Sequence, residues 1–174
     1  MDLIGPLPAS KKGNTWILTW VDRTSKTIVA VAAANTDMSS KAIALLTFRE
    51  ICCCFGLPLN LTMDNDVNFV SSLWKSLWHL CGTKVRFTFS YNSQSDPAEH
   101  ANRQLLEELR AAVATVSQYD EWDDALPHVT FGLNAHMTAV TKVSSFEFAH
   151  GFRARVPLTL GLPEPVTSTD EIPD

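Results

Sequence analysis

Apolar positions along the chain change period several times, and each change marks an element. Residues 15–21 (TWILTWV) and 27–33 (TIVAVAA) are β-branched and apolar. The polar stretch 22–26 between them predicts a hairpin. Helical spacing follows, with Ser39 or Ser40 placed to cap a helix whose apolar side carries Ile43, Leu46, Ile51 and Phe55, and with Gly56 and Pro58 ending it. Residues 59–63 predict a short strand, 69–81 a helix closed at Gly82, and 84–89 (KVRFTF) an alternating strand. The stretch 91–96 (YNSQSD) is polar and predicts a loop. Pro97 then opens a helix to about Val116, with Ala101, Leu105, Leu109, Ala112 and Val116 as its apolar stripe. A second helix runs from about Glu121 to Ala135, with a turn or kink expected at Pro127. Three antiparallel strands followed by alternating helices and strands predict an α/β fold around a mixed sheet.

Composition narrows the class without naming a function. Of 174 residues, 45% are apolar and 19% charged, as in ordinary globular domains. The apolar runs fall far short of the roughly 20 residues that a membrane span needs. The opening MDLIGPLP lacks a basic segment followed by a long apolar one, so no secretory signal is expected and an intracellular protein is the default. Net charge is −5, but residues 164–174 hold four carboxylates and no base. The remainder is close to neutral, so any nucleic-acid role must rest on local sites rather than on bulk charge. Cys52, Cys53 and Cys54 are consecutive and Cys81 stands apart, which is not zinc spacing. Reduced, core-facing thiols are expected. The five histidines are also scattered without zinc spacing.

Three carboxylates stand where chemistry is usually placed. Asp2 opens the first apolar run, Asp64 ends the strand at 59–63, and Glu99 lies in the first turn of the long helix. Carboxylate oxygens suit Mg²⁺ or Mn²⁺, and two such ions a few ångströms apart activate an attacking oxygen and stabilise a leaving one. Each residue also has a plainer role open to it. Asp96, Pro97 and Glu99 approach a capping box, Asp64 suits a turn, and Asp2 lies at a terminus that frays. Asp123 and Asp124 read as helix-surface charge, and Trp74 and Trp78, four apart, as packing.

Six ordered segments then resemble one family. MDLIGPLP, ILTWVDRTSK, FGLPLNLTMDNDVNF, FSYNSQSDPAEHANR, EWDDALPHVTFGLN and SSFEFAHGFRARVP are similar, in order and nearly in spacing, to the catalytic core of integrases from LTR retrotransposons of the Ty3/Gypsy type and from retroviruses. The resemblance implies a ribonuclease-H-like fold, a five-stranded mixed sheet flanked by helices, with a first strand cut short because only one residue precedes Asp2. It covers 1–157 and leaves 158–174 as a Pro-rich acidic tail or linker. It places Asp2, Asp64 and Glu99 on the catalytic, metal-binding triad with two Mg²⁺ or Mn²⁺ ions, and brings Asn102 and Arg103 to DNA phosphate. The implied activity is processing of element 3′ ends followed by strand transfer. DNA is the implied partner, with a homodimer admitted, no membrane, and a nuclear place of action.

Some residues depart from the family pattern. Asp64 and Glu99 are separated by 34 residues, one fewer than usual, and Pro97 stands in a loop that commonly contains Gly. Asn65 and Asp66 replace a common Arg-Gly, and His100 a common Arg. Two readings therefore stay open: a working integrase core, and a domesticated or decayed core that serves as a non-catalytic nucleic-acid or protein interaction module.

Overall fold

The strand β2 (Asn14–Val21) is the spine of the fold, because its alternation supplies two cores at once. In the computed structural model, which describes residues 1–34, 38–64, 69, 71–87, 97–116, 119–137 and 142–156, it pairs antiparallel with β1 (Asp2–Ile4) on one side and with β3 (Ile28–Ala34) on the other. The predicted hairpin is present, with Val21 opposite Ile28. β1 leaves the sheet through Gly5, whose φ is +153° and where a Cβ would lie 2.6 Å from the Trp16 ring, so only glycine passes there.

β4 (Asn60–Met63) and β5 (Lys84–Phe87) form a parallel pair, with Thr62 opposite Arg86. Among the described residues the five strands fall into a three-stranded antiparallel sheet and a two-stranded parallel sheet, and the amino group of Met1 bridges the two by donating to the Thr62 carbonyl at 3.0 Å. Parallel strands need a crossover, and α3 (Ser72–Leu80) makes it, its N-terminus capped by Ser71 accepting from the Trp74 N–H. This cap starts the helix later than apolar spacing alone suggests, and leaves Phe69 as a buried plug before it.

Residues 40–55 are helical as predicted but not uniform. α1 (Ser40–Thr47) is capped by Ser39 and passes through a π-turn, Phe48–Cys52, into α2 (Cys53–Phe55). A π-turn takes an extra residue per turn and rotates the face that follows. Cys53 and Cys54 are consequently exposed, against the core-facing expectation, while Cys52 and Cys81 are half-buried beside the core. All four are free thiols, and burial with Cys81 nearby pushes the Cys52 thiol up.

On one face of the sheet, Leu18 and Trp20 meet Ile43 and Ala44 of α1, Leu61 and Met63 of β4, and Trp74 and Trp78 of α3. On the other, Ile17 meets Leu105, Leu109 and Val113 of α4 (Pro97–Val116) and Trp122 and Leu126 of α5 (Trp122–Ala135). The expected kink at Pro127 does not interrupt α5. Its ring is exposed near the start of the helix, where one missing N–H removes one bond, and burial of Trp122 and Leu126, one turn apart on the same face, holds the turn. A short α6 (Ser145–His150), absent from the periodicity, is set by Ser144 accepting from the Glu147 N–H and by Gly151 in the left-handed conformation. Among the described residues no helix is long and apolar enough to cross a membrane. The predicted loop 91–96, the strand residues 88–89, Asn65, Asp66 and the tail 158–174 lie outside the described residues.

Candidate active site

Strand alternation sends Leu61 and Met63 into the first core, so Thr62, and by the same alternation Asp64, turn towards the face that α4 covers. Asp2 lies opposite Thr19 in the β1–β2 register, and Thr19 also looks towards α4, where it meets Asn102. Glu99 sits three residues before Asn102, close to the same side of α4. Three separate elements thus deliver Asp2, Asp64 and Glu99 to one cleft of about 1160 Å³, whose wall also includes Arg23, Arg86 and Ala98 and the apolar Phe55, Leu57, Leu59 and Phe148.

The carboxylates are held unequally. Asp2 is fixed on both oxygens, Oδ1 accepting from the Leu3 N–H at 2.9 Å and Oδ2 from the Asn102 side-chain amide at 2.6 Å. Glu99 is exposed and faces Arg103 one turn on, at 3.3 Å. Asp64 is exposed at the end of β4. No three acidic, His or Cys side chains among the described residues come close enough together to hold a single ion. Like charges repel across the cleft, and the Arg103 guanidinium draws Glu99 along its own helix. The chemistry of the donors still suits a hard cation, since each is a carboxylate, and the oxygens of Asp2 keep lone pairs beyond those engaged by Leu3 and Asn102.

Asn102 is only 7% exposed, and its amide is engaged by Asp2 and Thr19 rather than offered outward. Arg103 beside it is exposed. Three residues of this region were not singled out by sequence pattern: Thr19, Arg23 and Arg86. Thr19 left a signal, because it interrupts an otherwise apolar run at a position that strand alternation turns inward. Arg86 alternates outward on β5 like any surface strand residue, so no local signal marks it. Beside Arg23 in the cleft wall, Asp22 closes the β2–β3 turn. Burial works to raise its carboxyl, but hydrogen bonds from the Ser25 N–H and hydroxyl, with the Thr24 and Arg23 N–H groups, outweigh it and hold the carboxyl below the usual value.

Asp123 is not surface charge. It is 8% exposed, and its Oδ2 accepts from Ser10 Oγ at 2.8 Å and Asn14 Nδ2 at 2.7 Å, which ties the β1–β2 connection to the start of α5. Trp122 supports the same joint by donating its indole N–H to the Pro8 carbonyl at 2.9 Å.

Comparison with known proteins points one way. No protein-family model matches the chain. The Tf2-3, Tf2-4 and Tf2-5 transposon polyproteins of Schizosaccharomyces pombe are each 28% identical to it over 171 residues, which is 98% of this chain and 12% of theirs. The chain therefore spans about an eighth of the length of these curated relatives. Among solved structures, the catalytic core domain of BIV integrase superposes with a TM-score of 0.66 at 21% identity, covering 85% of this chain and 91% of that one. A chain of the simian T-cell lymphotropic virus intasome in complex with PP2A regulatory subunit B56 gamma gives a TM-score of 0.71 at 17% identity, covering 86% and 53%. The fold is the ribonuclease-H-like fold of integrase catalytic cores, and along nearly its whole length the chain is similar to Tf2 polyproteins, which are retrotransposon polyproteins of the Ty3/Gypsy type.

Proposed function

We propose that this chain is the metal-dependent polynucleotidyl transferase core of a retrotransposon integrase, processing the 3′ ends of element DNA and transferring them to a target strand. The observation that carries the reading is the delivery of Asp2, Asp64 and Glu99 by β1, β4 and α4 to one cleft. Asp2, Asp64 and Glu99 would hold the Mg²⁺ or Mn²⁺ ions, two in number. Such ions, when bound, act as Lewis acids at the phosphoryl oxygens and sharpen the attacking oxygen.

The chain's own part is ligation and placement. Asp2 is presented in a single orientation by its two hydrogen bonds, while Glu99, paired with Arg103 at 3.3 Å, would leave that pair to ligate a cation. Arg103 is then free to meet a phosphate, and the exposed Arg23 and Arg86 guanidiniums in the cleft wall supply further phosphate contacts. In the first step a water oxygen bonds to phosphorus and the bond to the leaving 3′ oxygen breaks. In the second, that freed 3′-hydroxyl attacks a target phosphate and expels another 3′ oxygen. DNA is the partner in this reading, a homodimer the assembly, and the nucleus the place of action.

Strand transfer on a branched DNA substrate in Mn²⁺ tests it, comparing the native chain with Asp64→Asn. Joined product that falls to background in the variant is the expected result. A folded native chain that gives no product in Mn²⁺ overturns the catalytic reading in favour of a non-catalytic interaction module.

A further inference from the structure

We infer that Thr19 and Asn102 are positioning residues that set both the orientation of Asp2 and the seat of α4 on the sheet. The inference rests on the reading of Asp2 as a metal ligand. Thr19 is wholly buried on β2, in a stretch whose other inward positions are apolar. Its hydroxyl lies 2.9 Å from Asn102 Oδ1 and 3.3 Å from the Asp2 carbonyl. Asn102 Nδ2 lies 2.6 Å from Asp2 Oδ2.

Only one arrangement of protons satisfies this chain. A carboxylate accepts and does not donate, so the amide must turn its NH₂ to Asp2 and its oxygen to Thr19, which must then donate its single proton. The Asp2 carboxylate thereby decides which way the Asn102 amide points, Thr19 locks that orientation by donating to the amide oxygen, and the locked amide in turn holds Asp2 Oδ2. A buried polar group without its partner is costly, so the network holds one geometry.

The same contacts have a second consequence. Asn102 lies three residues beyond Glu99 on α4, so bonding Asn102 to Asp2 and Thr19 sets the helix register from inside the fold. Glu99 is then placed relative to Asp2 by the body of the helix, backed by Leu105 and Leu109 in the core, and not by the length of the segment before Pro97. The short 34-residue spacing between Asp64 and Glu99 is compatible with the three carboxylates sharing one cleft for this reason.

The test compares the 174-residue chain with Thr19→Val, which keeps the shape and removes the hydroxyl, and Thr19→Ser, which restores it. Thr19→Ala replaces the valine variant if the latter does not show a cooperative thermal transition. Mn²⁺ affinity is read by electron paramagnetic resonance, and the side-chain amide signals of Asn102 by ¹⁵N NMR without metal. Thr19→Val should weaken Mn²⁺ binding by roughly 10-fold, as loss of a group that orients a ligand does, and should move the Asn102 signals, with Thr19→Ser returning both towards the parent. Parental Mn²⁺ affinity together with unmoved Asn102 signals in a folded Thr19→Val overturns the inference. If the parent itself binds no Mn²⁺, the metal-ligand reading of Asp2 falls, and the Asn102 signals alone decide: moved by valine and restored by serine they uphold the positioning role, and unmoved they overturn it.

Discussion

The two faces of β2 solve different problems. Leu18 and Trp20 look into an aromatic core in which Trp74 and Trp78 stand 5.5 Å apart edge-on and Phe69 packs 5.6 Å from Trp74. This face tolerates some polar cost, because the indole N–H groups of Trp20, Trp74 and Trp78 are buried with no partner among the described residues. Ile17 and Thr19 look the other way, into a core of leucines crossed by the polar chain Thr19–Asn102–Asp2, with Asp123, Ser10 and Asn14 forming a second polar joint at the start of α5. Apolar burial stabilises without direction. Hydrogen bonds contribute less net energy but specify position. The aromatic face therefore gives the domain its stability, and the mixed face gives the cleft its geometry.

The strongest way to break that division is to strip the aromatic face alone. Trp78 is fully buried and is not itself part of the cleft wall. Trp78→Ala should cost about 3–5 kcal/mol in urea unfolding, while Mn²⁺ affinity per folded molecule stays at the parental level. A loss below about 1 kcal/mol would show that stability does not reside on that face. Next in size is Asp123→Ala on the mixed face. It leaves the Ser10 hydroxyl and the Asn14 amide without their acceptor and should cost about 1–3 kcal/mol. Hydrogen exchange should show the loss centred on residues 6–14 and the first turn of α5. A uniform loss across the sheet would contradict a local joint.

The aromatic face was the more legible of the two in the amino-acid sequence. Helical and strand periods located β2, β3, β4, α3, α4 and α5, because burying a continuous apolar stripe is what those periods report. Local rotation was not legible: the π-turn at Phe48–Cys52 turned Cys53 and Cys54 outward, and no residue type announces a π-turn. Capping chemistry rather than periodicity defines α6, which is too short to show a stripe. On the mixed face, Asp2, Asp64 and Glu99 stand out in the sequence as carboxylates at element ends, but only the resemblance favours a shared role over the ordinary turn, cap or terminal role open to each. Asp123 looked like helix-surface charge because its partners, Ser10 and Asn14, are more than a hundred residues away. For the same reason the burial of Asn102 was hidden. A polar residue within an apolar strand, as Thr19 is, was the one local sign of a directional contact.

The smallest effect concerns a polar contact that lies outside both cores, and it sharpens the comparison by removing charge without removing shape. The Asp22 carboxylate accepts from the Ser25 N–H at 2.7 Å and its hydroxyl at 2.8 Å, and these bonds hold its carboxyl below the ordinary value of 3.8 despite partial burial. A carboxyl depressed by folding stabilises the folded state above its unfolded value, and that contribution disappears as pH falls through the lower folded value. Asp22→Asn keeps an acceptor oxygen for Ser25 and removes only the charge. Its thermal midpoint should lie slightly below the parent's at pH 7, by less than the Asp123→Ala deficit, and the gap should close as pH falls below about 3.8. A gap that persists unchanged into acid would mean that the turn depends on the shape of the side chain and not on its ionisation. Because Asp22 sits in the cleft wall and bonds to Ser25 and Thr27, sharing no hydrogen-bond partner with Trp78 or Asp123 among the described residues, its substitution should leave the Trp78→Ala and Asp123→Ala losses additive with its own.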